Sequence, residues 1–502
     1  MYGEEKSDSL IVAANLANNP QGAESVERRS GAKGNAEQPH MRRTQSRESM
    51  SQRLSRVREA AKQRKKERFT ALFHLLTAEA LENAFLSLSR KAAAGVDGVR
   101  WKDYAENLKV NIADLHRRLH QGSYRAQPGR RHYIPKADGK QRPLGIASLE
   151  DKIVQYALVK ILNAVYENDF MGFSYGFRPG RSQHNALDAL ATGLVRTNVN
   201  WVLDADISQF FDKVSHEWLI RFIEHRIGDQ RVIRLIRKWL TAGTSEEGEW
   251  RASEEGEWRA SEEGTPQGAV ISPLLANIYL HYVFDLWAHQ WRRRHATGNV
   301  VMVRYADDIV IGFDKRIDAQ CFRIAMQRRL KEFGLTVHPK KTRLTEFGRF
   351  AAENRASRGK GKPETFNFLG FTHISGKDRS GRFMLIRKTR RDRMTATLKA
   401  IKDGLRKRWH YSIPEQGKWL RRVVQGYLNY HSVPGNYPMM RKFRIYVTDL
   451  WRRALRRRSQ QDDTTWTKAN RLAAVWLPKV RVLHPWPVER FTARHPRQET
   501  GA

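Results

Sequence analysis

Two adjacent carboxylates lie between two short apolar runs in the second half of the chain. Asp307 and Asp308 follow Tyr305 and Ala306, with apolar residues at 301–303 before them and at 309–311 after them. This pattern predicts a β-hairpin that carries both acids at its tip. Aspartate is also an ordinary turn residue, because it tolerates tight turns and hydrogen-bonds its own backbone. The motif alone therefore leaves a metal site and simple turn chemistry as alternatives.

A second acidic strand is predicted upstream, where residues 201–212 read WVLDADISQFFD. Side chains alternate between faces along a strand, so we expect Asp204 and Asp206 on one face. Two strands that converge their acids can hold two divalent cations. That arrangement suits in-line phosphoryl or nucleotidyl transfer, in which one metal activates the attacking oxygen and the other stabilises the leaving one.

The charge balance indicates a polyanionic partner. The 502 residues include 91 Lys and Arg against 53 Asp and Glu, a formal net charge of +38. Nucleic acid releases counterions when it binds such a surface, which gives strong, salt-dependent and largely sequence-independent affinity. A merely soluble basic surface is the alternative, and the concentration of carboxylates at the two predicted strands argues against it.

Composition also disfavours several other classes of protein. The single cysteine, Cys321, excludes a disulfide framework and a multi-cysteine zinc site. No apolar stretch approaches the roughly 20 residues that span a bilayer, and acids stand near the N-terminus where a signal peptide has basic residues. We therefore expect a cytoplasmic protein with no membrane partner.

A basic hairpin is predicted at residues 130–145, with Asp138-Gly139 at its turn. It carries Lys136 and Arg142. These cations could clamp a triphosphate, because they neutralise charge that develops during transfer. A solvated charged hairpin is the alternative.

A perfect tandem duplication precedes another polar motif. SEEGEWRA at residues 245–252 is repeated at 253–260 and begins again at 261–264. Solenoids need several larger units, and longer loops cost little, so we interpret the repeat as an expanded surface loop without an assigned function. It abuts residues 264–268, GTPQG, in which the amide of Gln267 could hydrogen-bond a sugar or base edge.

Taken in order, the motifs resemble those of bacterial group II intron-encoded reverse transcriptases and maturases, over nearly the whole chain. They are AGVDG at 94–98, IPK at 134–136, RPLGI at 142–146, GFSYGFRPGRS at 172–182, the strand of Asp206, TPQG at 265–268, YADD at 305–308, KT at 341–342 and FNFLGF at 366–371. Each motif is weak alone, whereas the ordered set is specific. Because no cysteine follows Cys321, the resemblance is to members without a C-terminal HNH endonuclease domain.

The resemblance implies an α+β fold: a right-hand polymerase with fingers and palm, followed by an α-helical thumb or maturase domain. The implied segments are fingers at 68–195, a palm at 196–380 with the duplicated loop at 245–264, and an RNA-binding thumb or maturase region at 381–502. The basic, polar composition of the extension at 1–67 predicts a disordered or loosely helical segment.

The same resemblance implies a metal site in the palm. Asp206, Asp307 and Asp308 would be the catalytic carboxylates. Together with Ile207 they would ligate two Mg²⁺ ions, and Asp204 would be a neighbour rather than a ligand.

Nucleotide contacts are implied as well. Lys136 and Arg142 would hold the incoming triphosphate, Gln267 would lie near its sugar, and Lys341 would neutralise or protonate the leaving pyrophosphate. Phe211 would clash with a ribose 2′-hydroxyl and so select deoxynucleotides, with an ordinary core phenylalanine as the alternative. Residues 366–371 would grip the primer, unless their aromatics are strand core.

Arginine-rich helices are predicted after Gly381. Apolar residues recur there at helical spacing, first from Met394 to Leu405 and again from Phe443 to Ala454. The remaining surface of the second helix carries four arginines: Arg452, Arg453, Arg456 and Arg457. A solvated cationic face is the alternative, and the resemblance favours RNA binding.

The function implied is that of an RNA-directed DNA polymerase that copies group II intron RNA into cDNA and, as a maturase, promotes splicing and mobility. Its partners would be intron RNA, a DNA target or primer and deoxynucleoside triphosphates, with a homodimer left open. Two alternatives remain: a splicing-only maturase with an impaired polymerase site, and the reverse transcriptase of a retron or defence system.

Overall fold

A computed structural model describes residues 37–135, 141–245, 263–265, 267–458 and 464–495. Lys136, the Asp138-Gly139 turn and most of the tandem duplication lie outside the described residues, as does the side chain of Arg142. Within the described part, the fold is α+β, as predicted, with three small sheets set among helices.

Ten strands are present in the described residues. They are β1 (Gly129–Pro135), β2 (Gln141–Ile146), β3 (Trp201–Asp206), β4 (Thr244–Ser245), β5 (Val300–Tyr305), β6 (Asp308–Phe313), β7 (Arg343–Glu346), β8 (Thr365–Phe368), β9 (Phe371–Lys377) and β10 (Phe383–Thr389). The sheet orders are β2-β1-β4, β5-β6-β3-β7 and β10-β9-β8.

The helices surround these sheets. In the N-terminal half they are α1 (Glu37–Gln63), α2 (Ala78–Ser87), α3 (Trp101–Glu106), α4 (Leu108–Gln121), α5 (Leu149–Tyr166), α6 (Gln183–Arg196), α7 (His216–Glu224) and α8 (Gln230–Thr241). Beyond them lie α9 (Ser272–Leu280), α10 (Leu286–His295), α11 (Arg316–Glu332), α12 (Ala351–Ala356), α13 (Arg391–Lys407), α14 (Ile413–His431), α15 (Tyr437–Arg456), α16 (Trp466–Trp476) and α17 (Pro487–Arg494).

Helix α5 is central to the N-terminal half, where it packs against α1 and α2. Its apolar residues, among them Ile153, Leu158 and Ile161, are fully buried. Of the N-terminal extension predicted at 1–67, residues 37–63 form helix α1, and residues 1–36 lie outside the described part. The carbonyls of Arg64 and Glu67, just after α1, accept hydrogen bonds from the buried guanidinium of Arg226.

The four-stranded sheet confirms both acidic strands predicted from the sequence. All adjacent strands in this sheet are antiparallel. Strand β3 lies between β6 and β7, and β5 is joined to β6 by the Asp-Asp turn. Leu203 and Ala205 of β3 face the core, and Asp204 and Asp206 alternate with them toward the opposite face. The period-2 pattern thus places both acids of β3 on the side where β6 ends.

The basic hairpin is also confirmed, since β1 pairs antiparallel with β2 from Arg130 opposite Ile146 to Pro135 opposite Gln141. This hairpin contacts the GTPQG segment, because the amide of Gly145 donates to the carbonyl of Gln267 at 2.6 Å. Gly268 has φ +112, and a Cβ there would lie 2.9 Å from the carbonyl oxygen of Gly145. The glycine therefore permits close contact between the GTPQG segment and the hairpin backbone.

The β8-β9-β10 sheet leads into the C-terminal helices. Strand β10 pairs with β9 and ends at Thr389, and helix α13 begins at Arg391. Phe366, Phe368 and Phe371 are almost fully buried, which supports the strand-core alternative for these aromatics. The turn between them, at Leu369 and Gly370, is open to a cleft.

The C-terminal helices form a separate apolar core. Both predicted stripes are confirmed: Met394 and Leu405 of α13 pack with Phe443 and Val447 of α15 around the buried Trp451. The last helix, α17, returns to α6, where Arg490 and the buried Asp188 form an ion pair. Cys321 of α11 is exposed. No helix of the described residues is both long and apolar enough to cross a membrane.

Candidate active site

A large cleft lies where the four-stranded sheet, the basic hairpin and the C-terminal helices meet. Its volume is about 1190 Å³. Asp204, Asp206, Asp307 and Asp308 line its floor, Leu144 of β2 lines one wall, and Arg393 of α13 lines another. The structure thus gathers the predicted palm carboxylates in one open site.

The carboxylates converge because of strand register. Asp206, the last residue of β3, is directly opposite Asp308, the first residue of β6. Asp307 occupies the turn between β5 and β6, next to Ala306. Ala306 has φ 56, a left-handed conformation that costs free energy in a residue with a Cβ and therefore needs support from its surroundings. The hairpin tip is thus a constrained turn that presents acids to the cleft.

Burial and, after it, neighbouring like charges raise the pKa of two of these acids. Burial, followed by the nearby charges of Asp308 and Asp206, raises the pKa of Asp204 to about 7. Loss of surrounding water, followed by the charges of Asp307 and Asp206, raises the pKa of Asp308 to about 6, although its side chain opens onto the cleft. Each shift means that the negative charge is costly here until a cation compensates it.

A lysine supplies part of that compensation. Lys341 Nζ lies 2.8 Å from Asp206 Oδ2, on a side chain that is 61% exposed. The adjacent Thr342 Oγ1 is 3.5 Å from the amide nitrogen of Asp206, and the carbonyl of Asp206 accepts from the amide of His338. The predicted KT motif at 341–342 is therefore brought to the carboxylate site.

Beneath the hairpin tip lies a buried ion pair that the sequence reading did not single out. Arg304 of β5 and Asp285 are both fully buried, with Nε to Oδ1 at 2.7 Å and Nη2 to Oδ2 at 2.5 Å. Arg304 also donates from Nη1 to the carbonyl of Ala306 at 3.0 Å and from Nη2 to Ser174 Oγ at 2.7 Å. The guanidinium therefore fixes the residue that begins the strained turn.

Two further contacts complete this support. Asn277 of α9 accepts from Arg304 Nη1 at 3.1 Å and donates from Nδ2 to the carbonyl of Gly176 at 2.7 Å. Gly176 lies against the turn so closely that a Cβ would overlap the backbone nitrogen of Ala306. The GFSYG part of the motif at 172–182 thus forms a wall behind the Asp-Asp turn. Asp285 itself ends a π-helical segment, His281–Asp285, between α9 and α10.

Two of the residues predicted to contact a nucleotide line the cleft. Phe211 is one of them; it packs against the core and is only partly buried. Gln267 also lines the cleft, where its Nε2 donates to Asp212 Oδ1 at 3.2 Å. The buried Gln155 of α5 accepts from the amides of Val270 and Ile271, and this fixes the chain just after Gln267.

Residues 134–373 match the family model described as reverse transcriptase (RNA-dependent DNA polymerase). This stretch contains the acidic strands, the YADD turn, Gln267 and Lys341. Residues 134–373 are therefore similar to a reverse transcriptase domain.

Curated relatives agree with this assignment. Protein YkfC of Escherichia coli (strain K12) is 41% identical over 214 residues, which are 42% of this chain and 54% of that protein. The group II intron-encoded protein LtrA of Lactococcus lactis subsp. cremoris is 36% identical over 231 residues, 45% of this chain and 37% of LtrA. A putative COX1/OXI3 intron 1 protein of Saccharomyces cerevisiae is 26% identical over 401 residues, 66% of this chain and 46% of that protein. The matches span about half or less of these relatives.

Reverse transcriptases generally use divalent metal ions, and the donor set of this domain fits such ions. Carboxylate oxygens are the ligands that hard divalent cations prefer, and the raised pKa of Asp204 and of Asp308 shows negative charge in need of a cation. The side chain of Ile207 is a buried hydrocarbon without a ligand atom, so only the backbone carbonyl of this residue could bind a metal. In the described residues no three acidic, histidine or cysteine side chains already point at one position, and Asp206 turns toward Lys341.

The four predicted RNA-binding arginines divide into two kinds. Arg452 is mostly buried, binds Asp449 at 2.9 Å and lies over the ring of Trp466, so it packs against the next helix. Arg453 is well exposed but shares Asp449, at 2.7 Å. Arg456 and Arg457 are exposed at the end of α15. Arg452 therefore presents less of its side chain to solvent than the other three arginines do.

Sequence signals for the missed residues do exist. Arg304 interrupts the apolar run of β5, and Asp285 stands in the apolar stretch after α9. A lone charge in such a run requires a partner of opposite sign if it is buried. That rule identifies both residues as candidates for a buried pair, but it cannot say that they pair with each other.

The raised pKa of Asp204 predicts how stability depends on pH in the reverse transcriptase domain without metal. The folded protein favours the neutral form of Asp204, so ionisation of this carboxyl lowers stability. The loss begins near pH 4, the pKa of an aspartate in the unfolded chain, and is complete above about pH 7, its pKa in the folded protein. Asp204→Asn should therefore raise the melting temperature, with chelator present, by a few degrees at pH 8 and hardly at all at pH 4.

Thermal denaturation of both proteins across this range measures the effect. A difference between wild type and Asp204→Asn that did not grow with pH would contradict the assigned environment of Asp204.

Proposed function

We propose that this protein is an RNA-directed DNA polymerase that copies group II intron RNA into cDNA, and that it acts as a maturase promoting splicing and mobility of that intron. One observation carries the proposal: Asp206 stands opposite Asp308, beside a YADD turn, in an open cleft of a reverse transcriptase domain. The name of LtrA, a group II intron-encoded protein, supports the intron as the source of the RNA.

Two Mg²⁺ ions would be held by Asp206, Asp307, Asp308 and the backbone carbonyl of Ile207. When bound, such a pair of ions supplies activation of the primer 3′-hydroxyl and stabilisation of the leaving pyrophosphate. Asp204 would remain a neighbour that adds negative charge. Release of Lys341 from Asp206 would free a ligand oxygen and, at the same time, a cation for the pyrophosphate.

The chain's own residues would orient the incoming deoxynucleotide. Arg142 on the basic hairpin and Lys136, outside the described residues, would neutralise the triphosphate. Gln267 would turn its amide from Asp212 to the nucleotide near its sugar, and Phe211 would occupy the space that a 2′-hydroxyl needs. The cleft would exclude ribonucleotides by shape, without a dedicated charged group.

The primer would lie between the β8-β9 turn and the start of α13. Leu369 and Gly370 line the cleft there, and Arg390 and Arg393 line it from α13. Cations at these positions suit the phosphates of a strand whose end must reach Asp206. We assign residues 68–195 to fingers, 196–380 to palm and 381–502 to the thumb or maturase region, with the β9-β10 hairpin spanning the last boundary.

Arg453, Arg456 and Arg457 would contact intron RNA, and Arg452 would act through packing. We place the protein in the cytoplasm, with a homodimer as a further proposal. The splicing-only alternative has less support, since the four acids, Phe211 and Gln267 all line one cleft. The arginine-rich thumb helices give less support to a retron or defence enzyme.

Loss of one carboxylate separates chemistry from binding. Asp307→Ala should lower magnesium-dependent extension of a DNA primer on an RNA template by about a thousandfold or more, because it removes several kcal/mol of charge stabilisation. Affinity for the RNA template should stay nearly unchanged, since the net charge of +38 is barely altered.

Primer extension and filter binding on the same preparations measure both quantities. Extension by Asp307→Ala at a rate near that of wild type would refute the catalytic assignment. Wild type that binds RNA, is folded and does not extend would instead favour the splicing-only maturase.

Sugar choice tests the role of Phe211. Phe211→Ala should reduce the preference for deoxy- over ribonucleotides by about tenfold to a hundredfold, because a steric barrier of 1–3 kcal/mol is removed. Single-nucleotide incorporation with each sugar gives the ratio of kcat/KM values. Phe222→Leu, at a buried site outside the cleft, is the control. An unchanged ratio in Phe211→Ala would mean that Phe211 only packs.

A further inference from the structure

A small groove on the thumb lies between α13 and α15 and shares no residue with the carboxylate cleft. Leu405 and Leu450 give it an apolar lining. Trp409, in the turn after α13, adds an aromatic side chain that is 37% exposed. The thumb therefore offers a partly exposed ring beside the partly exposed Leu450, above the buried Leu405.

Cations surround this thumb groove. Lys402 and Arg406 line it from α13, and Arg453 and Arg457 line it from α15. No acidic side chain among the described residues lines the groove, although Asp449 binds one arm of Arg453 at its edge, 2.7 Å away. Its charge therefore complements an anion, while its lining complements an apolar, planar group.

The size of the thumb groove limits its occupant. Its volume is about 100 Å³, well below the roughly 300 Å³ at which pockets for ordinary small ligands begin. It can admit one ring system and no whole strand. An acidic peptide would satisfy the cations but leave the ring of Trp409 unused, whereas an RNA strand brings phosphates and flat bases together.

We propose that the thumb groove receives one unpaired nucleobase of an RNA strand, stacked on Trp409, with the flanking phosphates held by Lys402, Arg406 and Arg457. This inference rests on the proposed function, in which the thumb region binds intron RNA, and deepens it. It predicts that the thumb reads the RNA at an unpaired nucleotide and does not merely follow the backbone of a helix.

The test compares a strand with bases to one without. A short fluorescein-labelled oligoadenylate and an abasic oligoribonucleotide of the same length are titrated with the full chain, while excess unlabelled RNA–DNA duplex occupies the polymerase cleft. Trp409→Ala should weaken oligoadenylate binding between about fivefold and a hundredfold, since one base–aromatic stack is worth about 1–3 kcal/mol. Its binding of the abasic strand should be unchanged.

Matched variants separate stacking from charge. Trp409→Phe should restore most of the affinity, because it keeps an aromatic face. Paired replacement of the exposed Arg421 and Arg422 of α14 by Gln is the charge control. It should lower the affinity for both strands by the same factor, so the ratio of the two affinities stays unchanged. Replacement of Lys402 and Arg406 by Gln should lower the affinity for both strands more than that control does.

Several outcomes would overturn the proposal. The proposal fails if Trp409→Ala binds both strands as wild type does, or loses affinity for both equally. It also fails if oligoglutamate displaces the oligoadenylate in a Trp409-dependent way, which would assign the groove to an acidic protein segment. If wild type binds neither strand, the proposed RNA binding itself is refuted. If wild type binds RNA but Trp409→Ala binds it equally well, only the proposed role of the thumb groove is refuted.

Discussion

The buried ion pair of Arg304 and Asp285 is the interaction on which the active site depends. Removing two charges from water is costly, and the pair is stabilising only when geometry and additional hydrogen bonds compensate. Here both oxygens of Asp285 are used, and Arg304 also donates to Asn277, Ser174 and the carbonyl of Ala306. Three segments thus meet at one guanidinium: the loop of Ser174, the helical stretch of Asn277 and Asp285, and the strand and turn of Arg304 itself. Because these donors have fixed directions, they specify the position of the Asp-Asp turn more sharply than apolar packing could.

That rigidity matters because the site above it is electrostatically unfavourable. Asp204, Asp206, Asp307 and Asp308 bring negative charge together. The pKa values of Asp204 and Asp308 are raised first by burial and then by the charges of the neighbouring acids. A flexible turn would relax by moving the acids apart. A turn held from below keeps them close, in an arrangement whose charge a divalent cation would compensate. Lys341 offsets part of the charge at Asp206.

The sequence predicts this site well where a residue's role depends on local pattern. Alternation along β3 places Asp204 and Asp206 on one face, and the flanking apolar runs place Asp307 at a hairpin tip. Helical spacing likewise predicts the thumb stripes. Local pattern fails where tertiary contacts decide. Gly176 contacts Ala306, and Arg304 pairs with Asp285, across different elements of the fold. Arg452 is covered by Trp466 of the next helix, which the spacing within its own helix does not reveal.

Exchange of the buried pair for apolar residues tests its positioning role most directly. The double variant Arg304→Met, Asp285→Leu leaves no unpaired charge, so it should fold with a melting temperature close to that of wild type. It nevertheless removes the hydrogen bonds to Ala306 and Ser174. Primer extension on an RNA template should therefore lose about tenfold or more in kcat, with a smaller change in the KM for nucleotide. A folded double variant that extends primers at the wild-type rate would show that the pair serves stability alone and does not position the turn.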